Sequence, residues 1–287
     1  MTIRFTKFHG YGNDYLVIEA GALAAEVSNL NRFALMICDR HYGAGADGIA
    51  VVDRVETDDA DFSVRIFNPD GSEAGLSGNG TRCAASYLFH RQLWTKGELR
   101  LITKSGVKRY FLRDKMGPGN YLFDSELGRP RFDSQSIPMI TEEPLEQVVD
   151  YPLDVEGDTF SVTALEMGNP NCAIFVEDFD SLDWRGVGRA IEKHRQFPER
   201  TNVEFIHVLD RNKIELRIWE RGVGETTASG TCSCAAAIAS MINGLTDRQV
   251  EVQTPGGSVN VQWQDDGEVV LTGIAGIVYQ GEWLVDS

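Results

Sequence analysis

The sequence predicts an α+β protein built from two similar halves. Residues 67–86, FNPDGSEAGLSGNGTRCAAS, superimpose on residues 219–238, WERGVGETTASGTCSCAAAI, at a separation of 152 positions. The overlay places Glu73 on Glu225, Ser77 on Ser229 and Gly78 on Gly230. Two further pairs follow in the same order: GNDYLVI from Gly12 with GNPNCAI from Gly168, and Thr-x-x-Gly at Thr103 with that at Thr254. Ordered self-similarity of this kind marks duplicated structural units. The third observation is the excess of short runs rich in Val, Ile, Thr and aromatic residues, bounded by Gly, Asp or Asn, over runs with helical spacing.

In chain order, the strand-like runs of the first half are Thr2–Phe8, Tyr15–Glu19, Ile49–Val55, Phe62–Phe67, Glu98–Thr103 and Lys108–Leu112. Those of the second are Thr159–Leu165, Cys172–Val176, Asn202–Leu209, Lys213–Trp219, Gln249–Thr254, Ser258–Gln264 and Val269–Ile274. Apolar spacing predicts helices over Asn29–Asp39 and Asp183–Lys193. Two more follow the repeated loops, over Thr81–Phe89 and over Cys232–Asn243, the latter stopped by Gly244. Its alanine content suits a helix packed closely inside surrounding strands. Asp114–Pro138, with Pro118, Gly119, Pro130 and Pro138, reads as the crossover between halves.

The chain of 287 residues is long enough for one or two cores, and the repeat favours two. A formal net charge of -16 argues against nucleic acid, whose phosphates require clustered Lys and Arg. The acidic stretches DRVETDDADF and FVEDFDSLDW read as solvated loops, because neither has the spacing of a calcium-binding loop. Residues 1–10 carry no long apolar stretch, which argues against a secretory signal, and no run reaches the ~18 apolar residues of a membrane helix. The five cysteines, Cys38, Cys83, Cys172, Cys232 and Cys234, lie in apolar runs. That pattern predicts buried, reduced thiols in a cytoplasmic protein, and no second pair or nearby His completes a zinc site around Cys232 and Cys234.

Each repeated loop presents Gly and Ser at a helix N-terminus, where unpaired backbone N–H groups attract carboxylates. Gly78, Asn79 and Gly80 form one candidate cradle, and Gly230 with Thr231 the other. Serine-capped tight turns are the plainer reading of either loop alone. Asn13, Asp14, Asn68, Asn169 and Asn202 cluster in Gly-rich turns, a position asparagine also takes for conformational reasons. Glu220 and Arg221, directly after a strand, either pair with each other or meet the ammonium and carboxylate of a zwitterion. His9, between glycines, is a candidate base or a hydrogen-bonded packing residue.

The segments KFHGYGNDYLVI (7–18), RHYGAGADGI (40–49), RIFNPDGSEAGLSGNGTRC (65–83), MGNPNC (167–172), FPERTNVEF (197–205), WERGVGETTASGT (219–231) and TPGG (254–257) resemble the diaminopimelate epimerase family, in order and over nearly the whole chain. The resemblance implies two α+β domains related by a pseudo-twofold, each a β-barrel or curved sheet around a central helix, with the active site in the cleft between them. It implies boundaries near 1–126 and 127–276, with 277–287 crossing back to the first domain. It also implies inversion of one α-carbon of diaminopimelate, in lysine and cell-wall precursor synthesis, with no cofactor and no metal. Its expected partners are a small amino-acid substrate and a second copy in a homodimer, with no nucleic acid and no membrane.

Inversion needs a base on one face of the α-carbon and an acid on the other. The family uses two cysteines, and this chain has Ser77 and Ser229 at those positions, with Asn171 in place of the family's histidine. A serine hydroxyl needs a strong neighbouring base to act in that role. Cys83 and Cys232 fall on the helices beyond the loops, pointing away from the cleft. The binding positions persist: Asn13, Asn68, Asn169 and Asn202 match residues that hold the distal amino-acid end or frame the pocket. Glu220 and Arg221 match those that meet ammonium and carboxylate, and Gly78, Asn79, Gly230 and Thr231 match the cradles. An isomerase or dehydratase for a different substrate is the alternative enzyme, and an amino-acid-binding protein without turnover the alternative of another class.

Overall fold

The computed structural model describes residues 2–24 and 26–284. They form two compact units, the first running to Ser125 and resuming at Gly273, the second spanning Glu126–Thr272. In the first unit the order is β1 (Thr2–Gly10), β2 (Asn13–Glu19), α1 (Ala20–Ala24), α2 (Leu30–Ile37), β3 (Gly48–Arg54), β4 (Phe62–Phe67), β5 (Glu73–Ala74), α3 (Gly78–His90), β6 (Glu98–Thr103), β7 (Gly106–Gly117) and β8 (Asn120–Gly128). The second unit continues with β9 (Val148–Val155), β10 (Asp158–Glu166), β11 (Pro170–Phe175), α4 (Trp184–Glu192), β12 (Asn202–Asp210), β13 (Lys213–Glu220), β14 (Gly224–Thr226), α5 (Gly230–Ile242), β15 (Gln249–Thr254) and β16 (Gly257–Trp263). The last strand, β17 (Val269–Leu284), belongs to both units.

The duplication is visible in the strand ladders. Along β1, β2, β3, β4, β6, β7 and β8 successive pairings are antiparallel, parallel, antiparallel, parallel, antiparallel and antiparallel. Along β10, β11, β12, β13, β15, β16 and β17 the same series recurs. Each parallel step needs a crossover. In the first unit α2 lies between β2 and β3, and β5 with α3 between β4 and β6; α4, then β14 with α5, serve the second unit. In the first unit β17 pairs with both β8 and β1, which closes an eight-stranded barrel. In the second, β9 joins the ladder through β10.

Alternation along the strands separates an inner from an outer layer. On β2, Tyr15 and Val17 pack with residues of α3, whereas Leu16 and Ile18 pack with Phe33 and Ile37 of α2. On β12, Val203 and Phe205 pack outward with Trp184 and Ile191 of α4, so Glu204 between them faces inward, toward α5. Leu88 and Phe89 of α3 are buried among Leu99, Leu101 and Phe123, each such side chain contributing about 1.5–3 kcal/mol.

The segment Asp114–Pro138, expected as a crossover, holds the end of β7 and all but the outset of a hairpin with β8. Pro118 and Gly119 are its turn, with φ +76° at Gly119, a conformation that suits glycine. The two central helices begin earlier than expected, at Gly78 and Gly230 rather than Thr81 and Cys232. Short strands β5 and β14, and β9 with its internal Pro152, are also additions to the sequence reading. The acidic loops are only partly solvated: Asp61 pairs with Arg100 at 2.9 Å, and Asp183 caps α4 through the Gly186 N–H. Among the described residues no helix is long and apolar enough to cross a membrane, and no cluster of three or more His, Cys, Asp or Glu could hold a metal ion.

Candidate active site

In the first unit Ser77 is the N-cap of α3, and its Oγ accepts a hydrogen bond from the Gly80 N–H at 3.1 Å. The same Oγ lies 2.9 Å from the Tyr15 hydroxyl. Tyr15 is buried on the inner face of β2, opposite Gly48 of β3. A Cβ at Gly48 would stand 2.6 Å from the Tyr15 ring, so the missing side chain there makes room for the phenol. Asn79, also in the first turn of α3, accepts from Arg82 Nη1 at 2.9 Å and donates to Asn13 Oδ1 at 3.2 Å. Asn13 in turn donates to Asp47 at 2.9 Å. Beneath this chain Lys7 Nζ sits 2.7 Å from Asp14, whose other oxygen accepts from Arg40. Burial opposes ionisation of Asp14, but the bonds from Arg40 and Lys7 hold its carboxyl below the usual range. Asn68 stands apart from this group; it bonds Ser72 and closes its own turn.

In the second unit the asparagines form one web. Asn171 donates to the Asn169 carbonyl at 2.6 Å and to Asn169 Oδ1 at 3.1 Å. Asn202 donates to Asn171 Oδ1 at 3.1 Å and accepts from the Arg221 N–H at 2.8 Å. The buried amide of Asn202 is therefore spent on fixing the turn that carries Arg221, whose Nη1 reaches the Glu199 carbonyl. Burial raises the Glu220 carboxyl above the usual range, opposed by the nearby Thr226 hydroxyl, which closes no bond of good geometry. Among the described residues no ion pair joins Glu220 to Arg221. The repeated acids have structural partners: Glu73 pairs with Arg65 at 2.8 Å and Glu225 with Arg185 at 2.7 Å.

Ser229 is the N-cap of α5, followed by Gly230 and Thr231, but its hydroxyl caps no backbone N–H. It lies 3.5 Å from Thr231 Oγ1 and meets the thiol of Cys232. Cys232 lies on α5, as expected, and is fully buried. Cys83 is likewise fully buried, within the α3 core. All five cysteines are free and buried.

The two first turns leave N–H groups of Gly78, Asn79, Gly230 and Thr231 without helical partners, and a carboxylate suits that arrangement. Each cradle has a hydroxyl at its rim. Sequence reasoning missed Tyr15 and Glu204, although both fall inside the quoted segments. For Tyr15 the signal was the internal overlay, which sets a phenol opposite the amide of Asn171.

The family described as diaminopimelate epimerase matches residues 5–125 and 163–278. The chain belongs to the diaminopimelate epimerase family. A diaminopimelate epimerase of Pelotomaculum thermopropionicum is 41% identical over 281 residues, covering 98% of this chain and 99% of that one. One of Pseudomonas syringae pv. syringae is 40% identical over 283 residues, covering 98% and 99%. Among solved structures, the phenazine biosynthesis protein of the PhzF family from Bacillus anthracis superimposes with a TM-score of 0.68 at 18% identity, covering 99% of this chain and all (100%) of that one. A hydroxyproline epimerase from Agrobacterium vitis does so at 0.66 and 13% identity, covering 98% and 91%. These two likenesses establish the shared α+β fold of the diaminopimelate epimerase family, and no more.

Proposed function

We propose that this protein is a diaminopimelate epimerase, interconverting the LL and meso forms by moving one α-proton. The observation that carries the reading is the duplicated placement of Ser77 and Ser229, each the N-cap of a helix enclosed by strands. Family membership, with full-length relatives named for this activity, supports the substrate. In this reading the serines stand where the family has its two cysteines and act as the acid–base pair. One takes the α-proton from one face while the other delivers a proton to the opposite face, and the roles exchange in reverse. The α-carboxylate rests on the helix N–H groups, which also take up charge as the carbanion forms. Arg221 and Glu220 meet the substrate's carboxylate and ammonium, and the asparagine web holds their turn in place.

The deciding experiment is incubation of LL-diaminopimelate with the protein in deuterated water, scoring meso product and α-deuterium together. Meso product carrying one α-deuterium supports the reading; ligand-dependent stabilisation without any exchange replaces it with a binding protein. Diaminopimelate at one hundred times its dissociation constant is expected to stabilise the fold by about 2.7 kcal/mol, read as a thermal shift. No shift at millimolar ligand would remove the substrate assignment.

Exchanging both serines for cysteine is expected to raise the epimerisation rate at least ~10-fold, about 1.4 kcal/mol of barrier, because a thiol ionises several units nearer neutrality. Single exchanges recover less, since inversion uses both faces. A folded double variant no faster than the parent would show that the serines do not stand in for the family's cysteines.

A further inference from the structure

The overlay of the two units exposes a difference beneath the serines. Tyr15 of β2 and Asn171 of β11 hold equivalent ladder positions, opposite Gly48 and Asn202 respectively. Two residues further along, Ala50 is equivalent to Glu204; both are fully buried and face the central helix of their unit. On those helices Gly80 is equivalent to Cys232 at the repeat spacing. A Cβ at Gly80 would lie 3.0 Å from the Tyr15 ring and 3.2 Å from Ser77 Cβ, so in the first unit the phenol fills this space. In the second unit the smaller Asn171 turns to Asn169 and Asn202, and the thiol of Cys232 meets the serine instead. Behind the thiol stands Glu204. Both its carboxyl oxygens are buried without a hydrogen-bond partner, although the Cys232 thiol and the Cys172 backbone N–H approach them.

A carboxyl enclosed without partners is costly in either protonation state, and far more so when ionised. The equivalent place in the first unit is held by Ala50. We infer that Cys232 and Glu204 form a proton relay for Ser229, supplying the base that a serine requires. The inference rests on the epimerase reading. Ser229 Oγ takes the α-proton as its own hydroxyl proton passes to Cys232 Sγ and the thiol proton passes to a Glu204 carboxylate oxygen. The electron pair of the broken C–H bond stays on the α-carbon, and the net result is one proton moved from the α-carbon to Glu204. Reversal returns it. Glu204 and Cys232 act through Ser229 and are positioning residues, not catalytic ones.

The groups packed around Glu204 act on the protonation of its carboxyl. Burial raises its carboxyl well above the usual range, and the Glu220 charge of β13 raises it further, against the Cys232 thiol and the Cys172 N–H of β11. Burial, with Glu204 and Glu220, raises the Cys232 thiol well above its ordinary value, so the thiol hands protons on rather than resting as thiolate. From α4, Glu192 is engaged by Trp219 Nε1 and the Gly222 N–H.

The test measures kcat/KM for LL- and meso-diaminopimelate from pH 5 to 10 in the parent, Glu204→Gln, Cys232→Ala and Cys232→Ser (pH bounds of roughly this span bracket carboxyl and phenol titration). The parent is expected to lose activity toward acid as Glu204 takes a proton. Glu204→Gln is expected to be slower by at least ~10-fold and to lose that acid limb, a change that a merely structural role would not produce. Cys232→Ala is expected to fall similarly, the double variant no further, and Cys232→Ser to be rescued because a hydroxyl still passes the proton. If Glu204→Gln does not fold, the contrast between alanine and serine at Cys232 decides. An acid limb unchanged in Glu204→Gln, or equal rates for alanine and serine at Cys232, overturns the relay while leaving the epimerase reading intact. A parent with no α-proton exchange overturns both.

Discussion

Alanine in place of Ser229 or Ser77 is expected to lower epimerisation by roughly 10²–10⁴-fold, the usual worth of a positioned acid or base. Binding should survive, because the cradle N–H groups belong to the backbone. Ser77 also caps α3 through the Gly80 N–H, so its alanine variant should lose about 1 kcal/mol of stability that the Ser229 variant keeps. The double variant should be no slower than the slower single one, since acid and base act as a unit. Either single variant retaining more than about a tenth of the parent rate would exclude its serine from the chemistry.

The largest expected effect on stability comes from Asp14→Asn. Asp14 is buried against Lys7 at 2.7 Å, accepts from Arg40 at 3.0 Å and receives the Asp47 N–H at 2.8 Å. Removing one partner of a buried pair leaves the other charge uncompensated, at a cost of about 3–5 kcal/mol. The pH dependence follows from the lowered carboxyl. Its contribution is complete above the unfolded value of about 3.9 and is lost as pH falls through the lower folded value. Urea unfolding of parent and variant should therefore differ most near neutrality and converge in strong acid. A neutral-pH difference below about 1 kcal/mol would mean that Arg40 and Lys7 find other partners.

The strands and both central helices were legible in the sequence because alternation and the repeated Gly-Ser loops are local signals. Their starts were not. The first turn of a helix donates no N–H to a helical partner, so Gly78-Asn79-Gly80 costs little there and reads as a loop. The hairpin at Pro118-Gly119 was hidden for a related reason, since its turn residues are also those of a linker. Of the candidate site, Asn13 and Asn79 are joined by a hydrogen bond, as are Asn169, Asn202 and the Arg221 backbone through Asn171, whereas Ser77 bonds Tyr15 and the Gly80 N–H. What the sequence hid is the partnership of each serine. Tyr15 lies 62 residues from Ser77, and only the ladder register shows that Glu204 faces inward. Such contacts depend on which side of a strand a residue takes, and a fully buried strand carries no polar alternation to reveal it.

The final strand sets the order in which the molecule can be completed. Thr2 pairs with Leu284, and Phe8 with Ile277, so the first strand synthesised waits for the last. Until that segment leaves the ribosome, the amino-terminal barrel keeps an open seam along β1 and β8. The half that is made first is thus finished last, after the whole of Glu126–Thr272 has emerged. Contacts of this sequence separation slow folding and leave a pairing edge exposed meanwhile. A nascent chain stopped short of Gly273 should therefore present a sticky first unit, whatever the state of its second.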